Sequence, residues 1–385
     1  MIAVIADDFT GAAEIGGIGL RHGLKVVIET ENIRRCNTDL LVIATNTRSL
    51  HAKEASVYTE NITKQLLKLN PAFIYKKIDS VLRGNIIGEL AAMMYASQKK
   101  RAIVVAANPV FNRVIRDGIF FIDNIPLKET CFSTDPEYPI HSSSVLEILG
   151  KNSSVKNCRF NELLPEEGII IGDVENDNDL KHWAVHIDAQ TLPAGASGFF
   201  DALIRKHEVM PSCNISKLLP FGEKALYVLG STYPKDTDFL KKLEENDHYL
   251  SNIPEEIYCN KNYDPKYLEA WANDIVHAIE NHKKVIASIF HDSINEPDIA
   301  IRISETIGIL IKKVTEKTNL NELLLEGGRT TSVVLKHLKI NRLIPIQELD
   351  TGVIRMKIEG KSNFCVTTKP GSYFWPESIL SQLTE

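Results

Sequence analysis

The chain has 385 residues, 44% of them hydrophobic and 24% charged, and its 44 Lys and Arg against 50 Asp and Glu give a net charge of −6. This is too apolar for a disordered chain, and the acidic balance gives no electrostatic ground for nucleic acid or an anionic membrane as partner. The length suits two domains, each able to bury its own core.

The opening run Met1-Ile2-Ala3-Val4-Ile5-Ala6 has no basic residues before it, and Asp7 and Asp8 follow at once, so it reads as a strand and not as a signal peptide. No apolar stretch approaches the ~20 residues of a membrane helix. Cys36, Cys131, Cys158, Cys213, Cys259 and Cys365 are scattered without a CxxC pair. That argues against a zinc cage or a disulfide framework and fits a reducing, cytoplasmic compartment.

Short β-branched runs at 2–6, 25–29, 40–44, 73–76 and 102–106 alternate with helical patterns such as 52–69 and 87–97. Strands at 168–172 and 184–187 and a helix over 198–206 complete an N-terminal domain of residues 1–207. Residues 208–223 hold Pro211, Pro220 and Gly222 without a sustained apolar period and read as a linker. A second series occupies residues 224–385. It has strands at 225–229, 285–290 and 322–325, helices near 299–313 and 331–338, and antiparallel strands between 343 and 366. The expected fold class is α/β, with two domains, each a largely parallel sheet flanked by helices, and a small-molecule cleft between them.

Three strand ends gather chemistry. Asp7 and Asp8 follow the first strand, where open parallel sheets bind ligands, and Thr10-Gly11 opens a helix whose amides suit an anion. A carboxylate there can take a proton from a substrate hydroxyl, and it can equally cap the helix. The run Lys76-Lys77-Ile78-Asp79-Ser80-Val81-Leu82-Arg83-Gly84-Asn85 concentrates cations, a hydroxyl and a glycine at another strand end. Arg83 is suited to gripping a carboxylate, and a solvated basic loop is the plain alternative. At Leu325-Glu326-Gly327-Gly328-Arg329-Thr330 an apolar strand runs into two glycines and a helix, which suits phosphate oxygens without being a Walker loop; an ordinary strand–helix turn reads as well. Gly230-Ser231 and Lys369-Pro370-Gly371-Ser372 are further small-residue turns that, with it, suit one nucleotide pocket.

Other features carry less. Gly16, Gly17, Gly19 and Gly23 lack dinucleotide spacing and read as close helix packing and a helix stop. No histidine has metal-ligand spacing, so no protein-held metal site is expected, and His291-Asp292 reads as surface. No G-x-S-x-G elbow occurs.

Taken together, Ala6-Asp7-Asp8-Phe9-Thr10-Gly11-Ala12 and the Lys77–Gly84 run, which is similar to a K-x-D-S-T-L-R-G segment, resemble the four-carbon acid sugar kinases, formerly a domain family of unknown function. Asn108-Pro109-Val110-Phe111-Asn112-Arg113 with Asp117-Gly118, then Pro126-Leu127-Lys128-Glu129-Thr130 and Asp135-Pro136, continue the resemblance in order. Gly230-Ser231, Gly327–Thr330 and Lys369–Phe374 extend it to the end of the chain. Val81 stands where that family usually has Thr, Arg329 where it has Glu, and Trp375 where it has Gly.

The resemblance implies a sugar-acid domain followed by an ATP domain, with ATP and Mg²⁺ as cofactors. The terminal hydroxyl of an acid such as threonate, erythronate or 3-oxo-tetronate would be the acceptor. It implies that Ser231, Gly327, Gly328, Arg329, Thr330 and Gly371 touch ATP. Asp8 would be the catalytic base, with Asp7 as the substitute, and Arg83, Ser80 and Lys77 would hold the substrate. The expected partners are the acid and ATP, with no nucleic acid or membrane and with a homodimer allowed. The rival readings are a sugar-acid-binding protein without turnover, motivated by the altered 371–375 segment, and an NAD oxidoreductase using the N-terminal sheet.

Overall fold

Every residue of β1 (Ile2–Ala6) is apolar and buried, as a strand covered on both faces requires. It lies in a computed structural model that describes residues 1–31, 33–135, 138–150, 152–207, 220–230, 249–289, 299–361, 363–377 and 379. The chain divides into two units, Met1–Cys213 and Asn214–Glu385. The fold is α/β, as expected from the alternation of apolar runs and amphipathic stretches.

In the first unit β1 is followed by α1 (Phe9–Arg21), β2 (Val26–Glu29), β3 (Leu40–Ala44), α2 (Ala52–Leu67), β4 (Ile74–Lys77), α3 (Ile86–Ser97) and β5 (Arg101–Val105). An antiparallel excursion comes next, formed by β6 (Arg113–Arg116), β7 (Ile119–Ile122) and β8 (Ile125–Pro126). Then come α4 (Val145–Ile148), β9 (Val155–Cys158), β10 (Gly168–Gly172), α5 (Asp177–Val185), β11 (Thr191–Gly195) and α6 (Ser197–Lys206). The main sheet of this unit runs β2-β3-β1-β4-β11-β5-β10-β9 and is parallel throughout.

That strand order positions the site. The chain leaves β1 toward β2 and leaves β4 toward β5, on opposite sides. The loops after these adjacent strands therefore diverge, which makes the β1–β4 pair the topological switch point at which open α/β sheets bind ligands.

Helix α1 packs tightly behind it. A Cβ on Gly19 would stand 2.6 Å from Val26 Cγ2 and 2.7 Å from Leu40 Cδ2. Gly23, at φ 70°, adopts the left-handed turn that follows the helix end. These glycines serve packing and termination.

One expected strand is corrected. Residues 184–187 are not a strand; Ala184 and Val185 end α5, whose start is fixed by a capping box between Asn176 and Asp179. Leu180, Trp183 and Ala184 are buried because they form the inner face of this helix, and a short apolar run reads the same in either state. The strand itself is β11, inside the sheet between β4 and β5. Its Pro193 breaks the pattern by which a central strand is recognised.

In the second unit β12 (Ala225–Leu229), β13 (Tyr249–Asn252), β14 (Lys284–Ser288), β15 (Glu322–Glu326), β16 (Arg342–Asp350), β17 (Val353–Ile358) and β18 (Cys365–Lys369) form the order β13-β14-β12-β15-β18-β17-β16. Pairing is parallel from β13 to β18. It is antiparallel from β18 to β16, as the last stretch predicts. The helices Ile299–Lys317 and Gly328–His337 bury apolar faces within this unit. Most of the expected linker (208–219), as well as Ser231 and His291-Asp292, lies outside the described residues.

Candidate active site

Three loops meet at the carboxyl ends of β3, β1 and β4. Asp8 adopts extended backbone at the N-cap of α1, and its Oδ1 accepts from Gly11 N at 2.8 Å. Its Oδ2 accepts from Thr10 Oγ1 at 2.8 Å and stands 3.0 Å from Arg48 Nη1. The cap reading is therefore correct, and the carboxylate faces more than the cap.

Asp7 is turned inward. Arg48 grips it with two bonds, Nε to Oδ2 at 2.8 Å and Nη2 to Oδ1 at 3.1 Å. Its side chain is 4% exposed, against 16% for Asp8. The third carboxylate is Asp79, with Oδ1 3.4 Å from Arg48 Nη1.

Asp79 organises the loop after β4. Its Oδ2 accepts from Val81 N and Arg83 N, both at 3.2 Å, and from Arg83 Nε at 2.9 Å. Arg83 Nη2 binds its Oδ1 at 2.8 Å. Leu82, at φ 65°, takes the left-handed turn that brings those two amides round to one oxygen; this is an uncommon conformation for a bulky side chain. Arg83 Nη1 continues to Asp135 Oδ2 at 2.7 Å. The Arg83 guanidinium, expected to grip substrate, thus already holds two carboxylates of the protein.

Lys77 lies beside this cluster. Its Nζ donates to Ile78 O at 3.0 Å and stands 3.3 Å from Glu14 Oε2. Ser197 Oγ donates to the other Glu14 oxygen at 2.7 Å. Lys76, on the opposite side of β4, is paired with Glu89 at 2.6 Å. Ser80 accepts from Arg113 Nη1.

The electrostatics follow from this packing. Burial disfavours charge on Arg48, but Asp7, then Asp8 and Asp79, outweigh it and push its pKa well above the ordinary value. Burial also works against ionised Asp79. Arg83, then Arg48, and the bonds from Arg83 outweigh it, so its carboxyl is held well below the usual range. A depressed folded-state pKa contributes stability that is fully present above the unfolded value, about 3.9 for Asp, and is lost as pH falls below it. Urea unfolding is expected to find Asp79→Asn less stable than wild type at neutral pH, with the gap narrowing only below about pH 4. A gap unchanged at pH 3 would show that the loss is not electrostatic.

Arg48, Asp79, Arg113, Asp135 and Tyr138 were not among the residues expected at the site. Arg48 follows β3, so the strand-end rule that found Asp8 also points to it. Asp135 and Tyr138 arrive from far along the chain. Tyr138 Oη donates to Arg48 O, and Tyr138 N donates to Asp135 Oδ1 at 2.8 Å. No local pattern announces such contacts.

In the second unit the glycine turns do converge. Gly327 has φ 93°, and its N–H donates to Lys369 O at 2.8 Å. It is the N-cap of helix Gly328–His337 and supplies no side-chain cap. A Cβ on Gly230 would stand 2.7 Å from both Glu326 O and Thr330 Oγ1, so the end of β12 lies directly against that turn. Gly371 sits in the bend closed by Tyr373 N to Pro370 O at 3.1 Å. Arg329 and Thr330 occupy the first turn of the helix. Trp375 Nε1 donates to Glu326 Oε2 at 3.1 Å, and Lys369 Nζ donates to Pro370 O at 2.9 Å. Trp375 thus ties the segment after β18 to the end of β15, with Lys369 Nζ over its ring at 5.4 Å.

Two family models match the chain. Residues 2–203 match the model of a sugar-binding N-terminal domain, and residues 226–373 match that of a nucleotide-binding C-terminal domain. The chain belongs to the four-carbon acid sugar kinase family.

Relatives within this family include the D-threonate kinase of Salmonella typhimurium, 34% identical over 221 residues, which are 52% of this chain and 52% of that protein. The D-erythronate kinase of Heliobacterium modesticaldum is 32% identical over 158 residues, 40% of this chain and 36% of that protein. The 3-oxo-tetronate kinase of Brucella melitensis is 24% identical over 240 residues, 56% of this chain and 55% of that protein. The chain thus spans about half the length, or less, of these family members. Among solved structures, a Salmonella typhimurium LT2 protein provisionally named a tRNA synthase superposes with a TM-score of 0.78 at 19% identity, covering 99% of this chain and 97% of that one. A Haemophilus influenzae protein does so with a TM-score of 0.71 at 18% identity, covering 99% and 98%. At such identities the two structures establish the family fold alone.

Proposed function

We propose that the protein is an ATP-dependent kinase that phosphorylates the terminal hydroxyl of a small sugar acid of the threonate, erythronate or 3-oxo-tetronate type. The observation that carries this reading is Asp8: a partly exposed carboxylate at the switch point, aimed by Gly11, Thr10 and Arg48. A carboxylate oxygen has two lone pairs, and Asp8 Oδ1 spends one on Gly11, which leaves the other to accept a proton from the attacking hydroxyl. Asp7, locked in the Arg48 fork and almost wholly buried, is the weaker candidate. Ser80, Arg83 and Lys77 surround the acid, and Arg83 acts chiefly by setting the loop through Asp79 and Asp135.

The phosphates of ATP fit the turn Gly327–Thr330, with Gly371, which follows β18, near it; Ser231, also expected to touch ATP, lies outside the described residues. Gly327 takes a backbone conformation that favours glycine, and the first helical N–H groups carry no side-chain cap. Magnesium bound with the nucleotide would supply positive charge to the transferring phosphoryl group. Among the described residues no cluster of three or more His, Cys, Asp or Glu could hold a metal, so the phosphates themselves are the expected ligands. Of the described cysteines, Cys131, Cys158, Cys259 and Cys365 are free thiols, as a reducing compartment allows. Among the described residues no helix is long and apolar enough to cross a membrane.

A coupled ADP-release assay over four- to six-carbon sugar acids tests the reading. Acid-dependent ADP release is the expected result, with ATP–Mg²⁺ binding seen by calorimetry. Sugar-acid binding without ATP binding would replace the kinase with a binding protein.

A further inference from the structure

A sugar acid brings a carboxylate into a pocket that already holds Asp7, Asp8, Asp79 and Asp135, so it needs a cation not already spent on the protein. Arg48 is spent on the first three, and Arg83 on the last two. Lys77 faces Glu14, and Lys76 faces Glu89.

Arg113 differs from all of these. Its guanidinium lies over the rings of Phe111 and Phe132, 5.9 and 5.8 Å from their centroids, and Nη1 donates to Ser80 Oγ. Among the described residues it has no carboxylate partner. Its backbone is fixed where β6 meets the end of β5: Asn108 N donates to Arg113 O at 2.8 Å, and Arg113 N donates to Asn108 O at 3.2 Å. Asn108 is itself buried and bonded to Ser197 at 3.1 Å.

We propose that Arg113, together with Ser80, recognises the substrate carboxylate and so separates sugar acids from neutral sugars and polyols. The inference rests on the sugar-acid reading and names the group that reads the acid. Three physical reasons support it. Aromatic rings hold the guanidinium plane and strip water from it, which strengthens its attraction for an anion. An arginine has five N–H donors in a rigid fork, and one bond to a hydroxyl leaves most of them for a carboxylate. Ser80, having accepted from Arg113, keeps its O–H to donate to a second substrate oxygen. The site also gains selectivity, because four carboxylates repel any anion that Arg113 does not compensate.

Calorimetry with D-threonate and D-erythronate, alongside their neutral amides, tests this on wild type, Arg113→Met and Arg113→Lys, each checked for an unchanged unfolding midpoint. Methionine keeps packing against the phenylalanines without the charge. The expected result is acid binding weakened by about 10- to 100-fold in the Met variant, the scale of a lost charge-assisted bond, with amide binding changed by less than about threefold. The Lys variant recovers part of the loss, since it returns the charge without the fork. Acid affinity unchanged in the Met variant, or Met and Lys variants equally weak, overturns the inference while leaving the kinase reading intact. Wild type that binds the acids but releases no ADP removes the kinase reading and leaves Arg113 judged on its binding constants. Wild type that binds neither acid overturns both.

Discussion

Asp8→Asn is expected to lower kcat for sugar-acid phosphorylation by about 10²- to 10⁴-fold, the usual contribution of a positioned general base. Folding is expected to change little. Asparagine ranks with aspartate as an N-cap, and its amide oxygen can still accept from Gly11 N, the bond that starts α1. What the amide loses is proton affinity and its attraction for Arg48, which keeps Asp7 and Asp79 as partners. The measurement is steady-state kinetics paired with thermal unfolding. A folded variant with kcat within about threefold of wild type would show that Asp8 caps the helix and does not remove the proton.

Arg48→Met is expected to destabilise the protein by about 3–5 kcal/mol, the range for a buried ion pair stripped of one partner. The Arg48 side chain is 15% exposed and stands among three carboxylates. Without it, Asp7, Asp8 and Asp79 face one another across a poorly hydrated space. Like charges raise carboxyl pKa values above those of the unfolded chain, so the folded variant takes up protons more readily than the unfolded one. The destabilisation is then greatest at pH 8 and shrinks as the solution is acidified, which urea unfolding at pH 8 and pH 5 reads directly. Equal loss at both would point to lost packing of the side-chain stem.

Much of the framework was legible from local pattern. The strands β1, β3, β10 and β12 fall where their apolar runs predict, because a parallel strand buried on both faces must be apolar throughout. Strand β11 was not legible: Pro193 argues locally against a central strand, and the sheet tolerates it between β4 and β5. The 184–187 run misled because its apolar residues straddle a helix end: Ala184 is buried in the last turn of α5, whereas Val185 is an exposed apolar side chain.

The acidic pair at Asp7 and Asp8 was visible in the residues alone, as were the Lys77–Gly84 run and the glycine turns, because strand-end chemistry is a local property. Their division of labour was not. Asp7 and Asp8 are adjacent and chemically identical, and only the approach of Arg48 after β3 ties one down and leaves the other partly exposed. Arg83 looked like a substrate clamp until Asp79 and Asp135 were found in its fork. Arg113 belongs in the sequence only to the Asn108–Arg113 segment, and nothing local shows that among the described residues it has no carboxylate partner. The sequence by itself determined which chemical groups stand at the strand ends; tertiary structure decided which of them are spent on one another, because ion pairing depends on distances of a few ångströms between residues remote in the chain.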